Sequence, residues 1–153
     1  MLIVNDLMTP NPKFVTPETS LSQVMRIMQK EGFRQLPVVQ DEKLVGIITD
    51  RDVRIAVNFS PNQQEHEEQK QELQKLKTGD YMTTDPVTVP IDMPAYRAAE
   101  ILRLYKFGAL IVVNKREEAV GIISVTDFLK SFTQQWRSNK LSPFLTQWQV
   151  QFN

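Results

Sequence analysis

Two short stretches of the chain place a hydroxyl group three residues before a carboxylate: Thr49 and Asp52 in GIITDRD, and Ser124 and Asp127 in GIISVTD. Each hydroxyl ends a β-branched run typical of a buried strand, and the residues after it suit a helix. A hydroxyl and a carboxylate at this spacing form a capping box at a helix start. The same position offers unpaired N–H groups to an anion, and an ionised Asp accepts hydrogen bonds from two neighbouring ligand hydroxyls. Both uses are open to the first corner (Thr49–Asp52) and to the second corner (Ser124–Asp127).

The two corners belong to a longer internal repeat. DLMT at Asp6–Thr9 returns as DYMT at Asp80–Thr83, and LPVV at Leu36–Val39 returns as LIVV at Leu110–Val113, at the same offset. The corner returns one residue later, which fits a longer turn in the second copy, NKREEA against QDEK. Because the length difference falls in a turn, the pattern indicates a duplication.

Each copy shows the same order of secondary-structure signals. An extended piece (KFVTP or PVTVP) is followed by a helix, two strands around a charged turn, and a second helix after the corner. The first copy's helix opens at Thr19 or Ser20 and stops at Gly32. In the second copy Asp92 suits the cap and Pro94 the first turn. The sequence therefore predicts an α+β protein made of two βαββα units in one body.

Composition excludes several classes of function. The 153 residues carry zero formal net charge, so no global field favours nucleic acid or an anionic membrane surface. With no cysteine and a single histidine, the chain has no disulfides, no thiol nucleophile and no histidine-based metal site. No apolar run approaches the length of a membrane span and the start lacks a secretory signal, so we expect no membrane insertion and a cytoplasmic location.

The parts of a catalytic site are also missing from the sequence. It has no Ser, His and Asp in a plausible relation, no glycine-rich phosphate loop of the G-x-x-x-x-G-K-[ST] kind, and only five glycines. We therefore expect a protein that is not an enzyme and requires no cofactor.

Two segments lie outside the repeat. Residues 61–76 are rich in Gln, Glu and Lys and predict either a solvated helix or a mobile linker, in which His66 is a surface residue without a chemical role. Residues 133–153 form a tail whose large aromatic side chains rarely stay in water together. We expect the tail to pack on its own module or on a dimer mate, or else to dock another protein. Its aromatic residues are Trp136, Phe144, Trp148 and Phe152.

Four patterns recur in the same order in both copies and resemble a pair of CBS motifs, the Bateman module: D-x-M-T, V-T-P or V-T-x-P, LPVV or LIVV, and G-I-I-[ST]-x-x-D. The resemblance covers a first motif at 1–60 and a second at 77–132. It implies two pseudo-symmetric βαββα units packed about a pseudo-twofold axis. It also implies a regulatory role, a homodimer, and adenine nucleotides bound in the clefts between motifs.

The resemblance assigns a ligand role to the corners. It implies that Asp52 and Asp127 bind a ribose, and that Thr49 and Ser124 help to hold the ribose-phosphate end. Arg34 and Arg51 can supply counter-charge to phosphate, although solvated surface positions explain them as well. Two segments can each supply one apolar wall of a slot for the adenine ring, although packing in the core accounts for their apolar side chains equally well. Those wall residues are Thr16, Pro17, Leu36, Pro37 and Val38.

The two clefts are expected to be unequal. The copies share the hydroxyl and the Asp, but Arg34 is matched by Gly108, Arg51 by Thr126, and Thr16 by Val89. Charge-assisted contacts to phosphate are the strong ones. The sequence therefore predicts a stronger phosphate site at the first corner.

The predicted function is a stand-alone, energy-sensing regulatory module that binds AMP, ADP or ATP. Since no enzyme or channel domain accompanies the motifs, we expect it to act in trans on a regulated protein that the sequence does not identify. The alternative is a ligand-free structural module that dimerises or docks a partner, with the corners serving only as helix caps.

Overall fold

The computed structural model describes residues 1–57 and 63–138, and for residues 63–67 and 136–138 it describes the backbone alone. The side chains of His66 and Trp136 lie outside the described residues, as do Phe144, Trp148 and Phe152 of the tail. The expectations for the packing of the tail therefore stay predictions.

Helices and strands follow the predicted order in both halves. They are α1 (Val4–Leu7), β1 (Thr9–Pro10), α2 (Leu21–Glu31), β2 (Gln35–Gln40), β3 (Lys43–Thr49), α3 (Asp50–Ala56), α4 (Gln63–Lys75), β4 (Thr83–Thr84), β5 (Thr88–Pro90), α5 (Ala95–Tyr105), β6 (Ala109–Val113), β7 (Ala119–Ser124) and α6 (Val125–Ser138). The first strand of the second unit is β5, and in the first unit a single parallel bridge from Val15 to Val38 takes its place. The α+β fold with two βαββα units is confirmed.

The ends of α2 agree with the sequence, whereas the start of α5 does not. Ser20 caps α2 by accepting a hydrogen bond from the Gln23 amide at 3.2 Å, and Gly32 ends the helix with a positive φ of 72°. The prediction that Asp92 caps α5 is wrong, because the N-cap residue is Pro94 and no side chain caps this end. A proline disfavours helical geometry at the residue before it, which moves the helix start past Met93.

The two halves exchange a strand with each other. The first sheet has the order β2-β3-β4, and β4 comes from the second half of the chain. The second sheet has the order β1-β7-β6-β5, and β1 comes from the first half. Thr83 pairs with Ile47 in one sheet, and Thr9 pairs with Ile122 in the other. These matching pairs relate the halves by an approximate twofold axis, as expected.

The strand register also corrects one comparison between the copies. Val15 bridges Val38 and Val89 pairs with Val112, so Val89 corresponds to Val15, and Thr16 corresponds to Pro90. The match of Thr16 with Val89 was thus one residue out of register. The match of Arg34 with Gly108 holds. The Arg34 carbonyl accepts a hydrogen bond from the first amide of α3, and the Gly108 carbonyl accepts one from the first amide of α6.

Each sheet packs against helices around its own hydrophobic core. The first core contains Leu21, Val24, Leu36, Val38 and Ile48, and the second contains Val89, Leu102, Leu110, Val112 and Ile123. Leu73 of α4 is only 2% exposed and belongs to the first core. Of the two alternatives for this segment, the structure thus shows a helix, and this helix packs on the first half rather than being wholly solvated.

Candidate functional site

The first corner is a complete capping box. The Thr49 amide and hydroxyl donate to Asp52 Oδ2 at 2.8 and 2.7 Å, and the Asp52 amide donates to Thr49 Oγ1 at 3.2 Å. At the second corner the Ser124 amide and hydroxyl donate to Asp127 Oδ2 at 2.8 and 2.6 Å. The full capping box is therefore shown at the first corner, and at the second the described bonds are those that Asp127 accepts.

Capping leaves part of each carboxylate available. The bonds that the two carboxylates accept all use Oδ2, and within the described residues Oδ1 of Asp52 and of Asp127 makes no hydrogen bond. Both side chains are half-buried, which limits the number of orientations they sample. An ionised carboxylate accepts several hydrogen bonds, so each corner can cap its helix and still accept a donor from a ligand.

The strand that leads into each corner is fixed by the other half of the chain. A Cβ at Gly46 would lie 2.9 Å from the Thr83 carbonyl oxygen, and one at Gly121 would lie 3.1 Å from the Thr9 carbonyl oxygen. The D-x-M-T segment of one half thus packs directly on the glycine of the other half's corner motif. Sequence reasoning noticed both patterns but missed this contact, because only the strand exchange brings them together.

Both corners open onto one cavity of about 720 Å³, which we call the central cavity. Thr49 and Arg51 line it from the first corner, and Ser124 and Asp127 line it from the second. The predicted ribose ligand Asp52 is not among the lining residues, so its ligand role stays a prediction. Arg34 lines it as well. Five of the predicted site residues therefore share one space between the two halves.

The central cavity carries mixed charge with a cationic excess. Among the described residues, its lining includes the cations Lys13, Arg34, Arg51 and Lys130 and the acids Glu31, Asp50 and Asp127. Asp50 is already paired with Arg54, which reaches it at 3.1 Å. The lining as a whole therefore favours an anionic ligand.

Sequence reasoning missed two of these cations. Lys130 lies three residues after Asp127, so helical spacing alone places both on one face of α6. Lys13 carries no such local signal, because it reaches the cavity only through β1, which pairs with the sheet of the second half.

The remaining predicted site residues lie elsewhere. Thr16 and Pro17 line a second cavity of about 710 Å³, beside both hairpin turns. The acids that line this second cavity are Glu18, Asp41, Glu42, Glu117 and Glu118. Pro37 is buried, and Leu36 and Val38 have no exposed surface and pack in the first core, so core packing accounts for their apolar atoms. Contact of Thr16 and Pro17 with adenine stays a prediction.

A third, smaller cavity of about 300 Å³ lies between α2 and α3. Its walls include Met25, Met28, Val53 and Val57, and neither corner's hydroxyl lines it. In the described part of the chain no group of three or more His, Cys, Asp or Glu side chains is placed to hold a metal ion. No described helix combines the length and the apolar character that a membrane crossing needs. Of these three cavities, the central cavity is the one that the hydroxyl residues of both corners line.

Comparisons with known proteins agree with the fold. A family model described as the CBS domain matches the chain twice, over residues 4–58 and 79–133. A CBS domain-containing protein of Dictyostelium discoideum is 30% identical over 129 residues, which are 84% of this chain and 89% of that protein. An inosine-5'-monophosphate dehydrogenase of Korarchaeum cryptofilum is 34% identical over 125 residues, which are 82% of this chain. The match spans only 22% of that enzyme's length.

Solved structures with bound ligands are also similar. CBSX2 of Arabidopsis thaliana in complex with AMP has a TM-score of 0.72 and 28% identity, and the match covers 86% of this chain and 97% of that chain. The CBS domain pair of protein MJ0100, in complex with 5'-methylthioadenosine and S-adenosyl-L-methionine, has a TM-score of 0.73 and 25% identity. That match covers 88% of this chain and 98% of that chain. The sequence resemblance to a CBS pair is thus confirmed.

Proposed function

This chain belongs to the CBS domain family, and we propose that it is a regulatory module that binds an adenine nucleotide in the central cavity. One observation carries the proposal: the hydroxyls of Thr49 and Ser124 and the carboxylate of Asp127, which has one oxygen to spare, line one cavity with a cationic excess. The adenosine ligands bound to CBSX2 and MJ0100 support the ligand class.

The charges of the cavity support a phosphate-bearing ligand. Guanidinium and ammonium groups such as Arg51 and Lys130 make charge-assisted hydrogen bonds with phosphate oxygens. 5'-Methylthioadenosine has no phosphate, and S-adenosylmethionine carries a sulfonium cation that these side chains repel. We therefore propose AMP, ADP or ATP as the ligand, with ADP and ATP favoured because their phosphates can engage more of the cations.

Each corner residue has a distinct role in this proposal. Oδ1 of Asp127, which lines the cavity, accepts hydrogen bonds from the ribose hydroxyls, while Oδ2 bonds to Ser124. The same role for Asp52 is supported by the sequence resemblance alone. Thr49 and Ser124 border the ribose-phosphate end, next to the helix N-termini, whose N–H groups favour negative charge. Arg34 and Arg51 bind phosphate. Binding would thus tie together both halves of the chain, and the proposed signal to a regulated partner is the resulting change in their relative position.

The alternative is a ligand-free module that dimerises or docks a partner. The capping bonds favour it, because they explain the hydroxyl and the aspartate of each corner without any ligand. They do not explain Arg34, Arg51, Lys13 and Lys130, which line the same cavity and contribute nothing to the caps. The cations therefore distinguish the two functions.

Isothermal titration with adenosine, AMP, ADP, ATP and S-adenosylmethionine tests the proposal. We expect ADP or ATP to bind most tightly and Arg51→Ala to weaken that binding on the order of tenfold. Lys115→Ala removes an exposed cation of the second hairpin turn that lies outside the central cavity, and should change nothing. No binding by any nucleotide would leave the ligand-free module as the function.

A further inference from the structure

The first half covers its helix α2 in a way that the second half does not repeat for α5. Helix α4 packs along α2, and Leu73 of α4 is buried in the first core beside Leu21 and Val24. On α5, the elements in closest contact among the described residues are α1, α6 and β6. By the internal repeat these correspond to residues 78–81, α3 and β2 of the first half. None of them therefore takes the place on α5 that α4 takes on α2.

One side of α5 is turned away from α6. In the first half, Met25 and Gln29 of α2 face α3 across the third cavity. The repeat therefore directs the matching positions of α5 toward α6. Ile101, Leu104 and Tyr105 lie on the other side of the helix, three and four residues apart on one face. We call these three residues the α5 face.

The α5 face is apolar and largely exposed. Leu104 is 63% exposed and Tyr105 is 67% exposed. The residues that match them on α2 are Lys30 and Glu31, whose charges suit an exposed position. Large apolar side chains that lie together at a surface mark contact sites. The α5 face therefore calls for a cover where the matching positions of α2 do not.

Helix α6 leads the chain toward this face. The amide of Val125, at the start of α6, donates to the Gly108 carbonyl at 3.1 Å, just past the end of α5. From there α6 packs along α5 and also contacts α1. The segment that leads into α1 is fixed to the start of α5, because the Ala95 amide donates to the Leu2 carbonyl at 2.9 Å. The chain therefore leaves α6 near the start of α5.

The sequence after α6 suits the α5 face. Ser142 and Pro143 are residue types favoured at the N-cap and at the first position of a helix. After them Leu145, Trp148 and Phe152 recur at helical spacing, which predicts a single apolar stripe. A helix over residues 143–152 is about as long as α5 itself.

We propose that residues 139–153 fold back as a helix on the α5 face of their own chain. This helix gives the second half the cover that α4 gives the first, with Trp148 against Leu104 and Tyr105. The proposal does not depend on nucleotide binding, because no residue of α5 lines any of the three cavities described above.

Hydrogen exchange of the full chain tests this docking. Leu104→Ser should speed exchange of the backbone amides of residues 144–152 roughly tenfold, because the docked state loses one buried leucine. Trp148→Ala removes the facing side chain and should have a similar effect. Tyr96→Ser is the matched control, because Tyr96 is an exposed tyrosine of the same helix on the opposite side from Tyr105. It should leave the exchange of these amides unchanged.

A cross-link decides which chain the segment covers. The sequence has no cysteine, so Leu104→Cys with Leu145→Cys introduces a single reactive pair. A short bismaleimide should join the two within one chain, so that the product keeps the monomer mass on a denaturing gel. A dimer band, or no linkage at all, would overturn the proposal. Wild-type amides at 144–152 that exchange as fast as those of an unfolded chain, or equal exchange in Leu104→Ser and Tyr96→Ser, would overturn it as well.

Discussion

Gly46 lies against the backbone of Thr83, so that a Cβ at Gly46 would come within 2.9 Å of the Thr83 carbonyl oxygen and 2.6 Å of Met82 Sδ. This contact joins the G-I-I-T motif of the first half to the D-x-M-T motif of the second half. The glycine is thus required by the close approach of a strand that another part of the chain supplies.

Gly46→Ala should therefore destabilise the protein by about 1–3 kcal/mol, as overpacking of a filled site usually does. Met82 can move, but the Thr83 carbonyl belongs to a paired strand and cannot. Urea unfolding measures the change. Gly108→Ala is the matched control, because a Cβ there meets nothing within 4 Å, and its stability should stay within about 1 kcal/mol of the wild type. Equal losses in both variants would refute the packing argument.

Asp52→Ala should remove both a helix cap and a ligand contact. We expect a stability loss of about 0.5–2 kcal/mol and a loss of ADP affinity on the order of tenfold or more. Asp6→Ala is the control, because Asp6 accepts from the Ile3 amide at 2.9 Å in a similar cap that belongs to neither corner. It should lose stability but keep nucleotide binding. Equal effects of the two variants on calorimetric affinity would speak against a ligand role for Asp52.

Asp127→Ala should weaken ADP binding less than Asp52→Ala, because Arg51 adjoins Asp52 and has Thr126 as its counterpart. Paired titrations of the two variants, with folding checked by circular dichroism, measure the order of affinities. A greater loss in Asp127→Ala would show that the first half's cations serve the second corner better.

Leu73→Ala should destabilise the protein by about 2–5 kcal/mol, the usual range for truncating a buried leucine. Leu73 is the point at which α4 joins the first core, although the surrounding sequence is strongly polar. Lys75→Ala, two residues further along the same helix at an exposed position, should change stability by less than about 0.5 kcal/mol. Thermal and urea unfolding of both variants decide whether α4 is a structural helix or a dispensable linker.

The chain should form a twofold homodimer through exposed apolar residues of its helices. Ile55 of α3 is 62% exposed and Leu129 of α6 is 59% exposed, and large apolar side chains of this kind often mark contact surfaces. Sedimentation at micromolar concentration should give twice the 17.7 kDa chain mass. Ile55→Lys or Leu129→Lys should shift the equilibrium toward the monomer, while Lys115→Ala should not. A wild-type monomer would refute the prediction.

The sequence predicted the local features of the fold well. The order of helices and strands, the cap at Ser20 and the stop at Gly32 depend on local sequence, and the structure has each of them. The start of α5 was misplaced because the proline effect at Pro94 outweighed the capping tendency of Asp92. The burial of Leu73 was missed because a single leucine in a polar helix gives no periodic signal.

The candidate site was predicted only in part, because its geometry depends on contacts between distant segments. The hydroxyl and the aspartate of each corner could be read from their spacing, but the meeting of both corners in one cavity could not. Lys13 reaches that cavity through the exchange of β1, and Thr16 lies in a different cavity from Arg34. Such relations depend on tertiary packing, which spacing along one chain does not encode.

The exchange of β1 and β4 also sets the order in which the chain can finish folding during its synthesis. The first sheet is complete once Thr84 has left the ribosome, because β4 is the last of its strands to be made. The second sheet cannot form completely until β7, which ends at Ser124, has been synthesised. Only then can β1, near the N-terminus, pair with β7. Pairing between such distant segments is slow to form. Docking of Thr9 and Pro10 should therefore be the last sheet pairing to form, after both hairpins have folded.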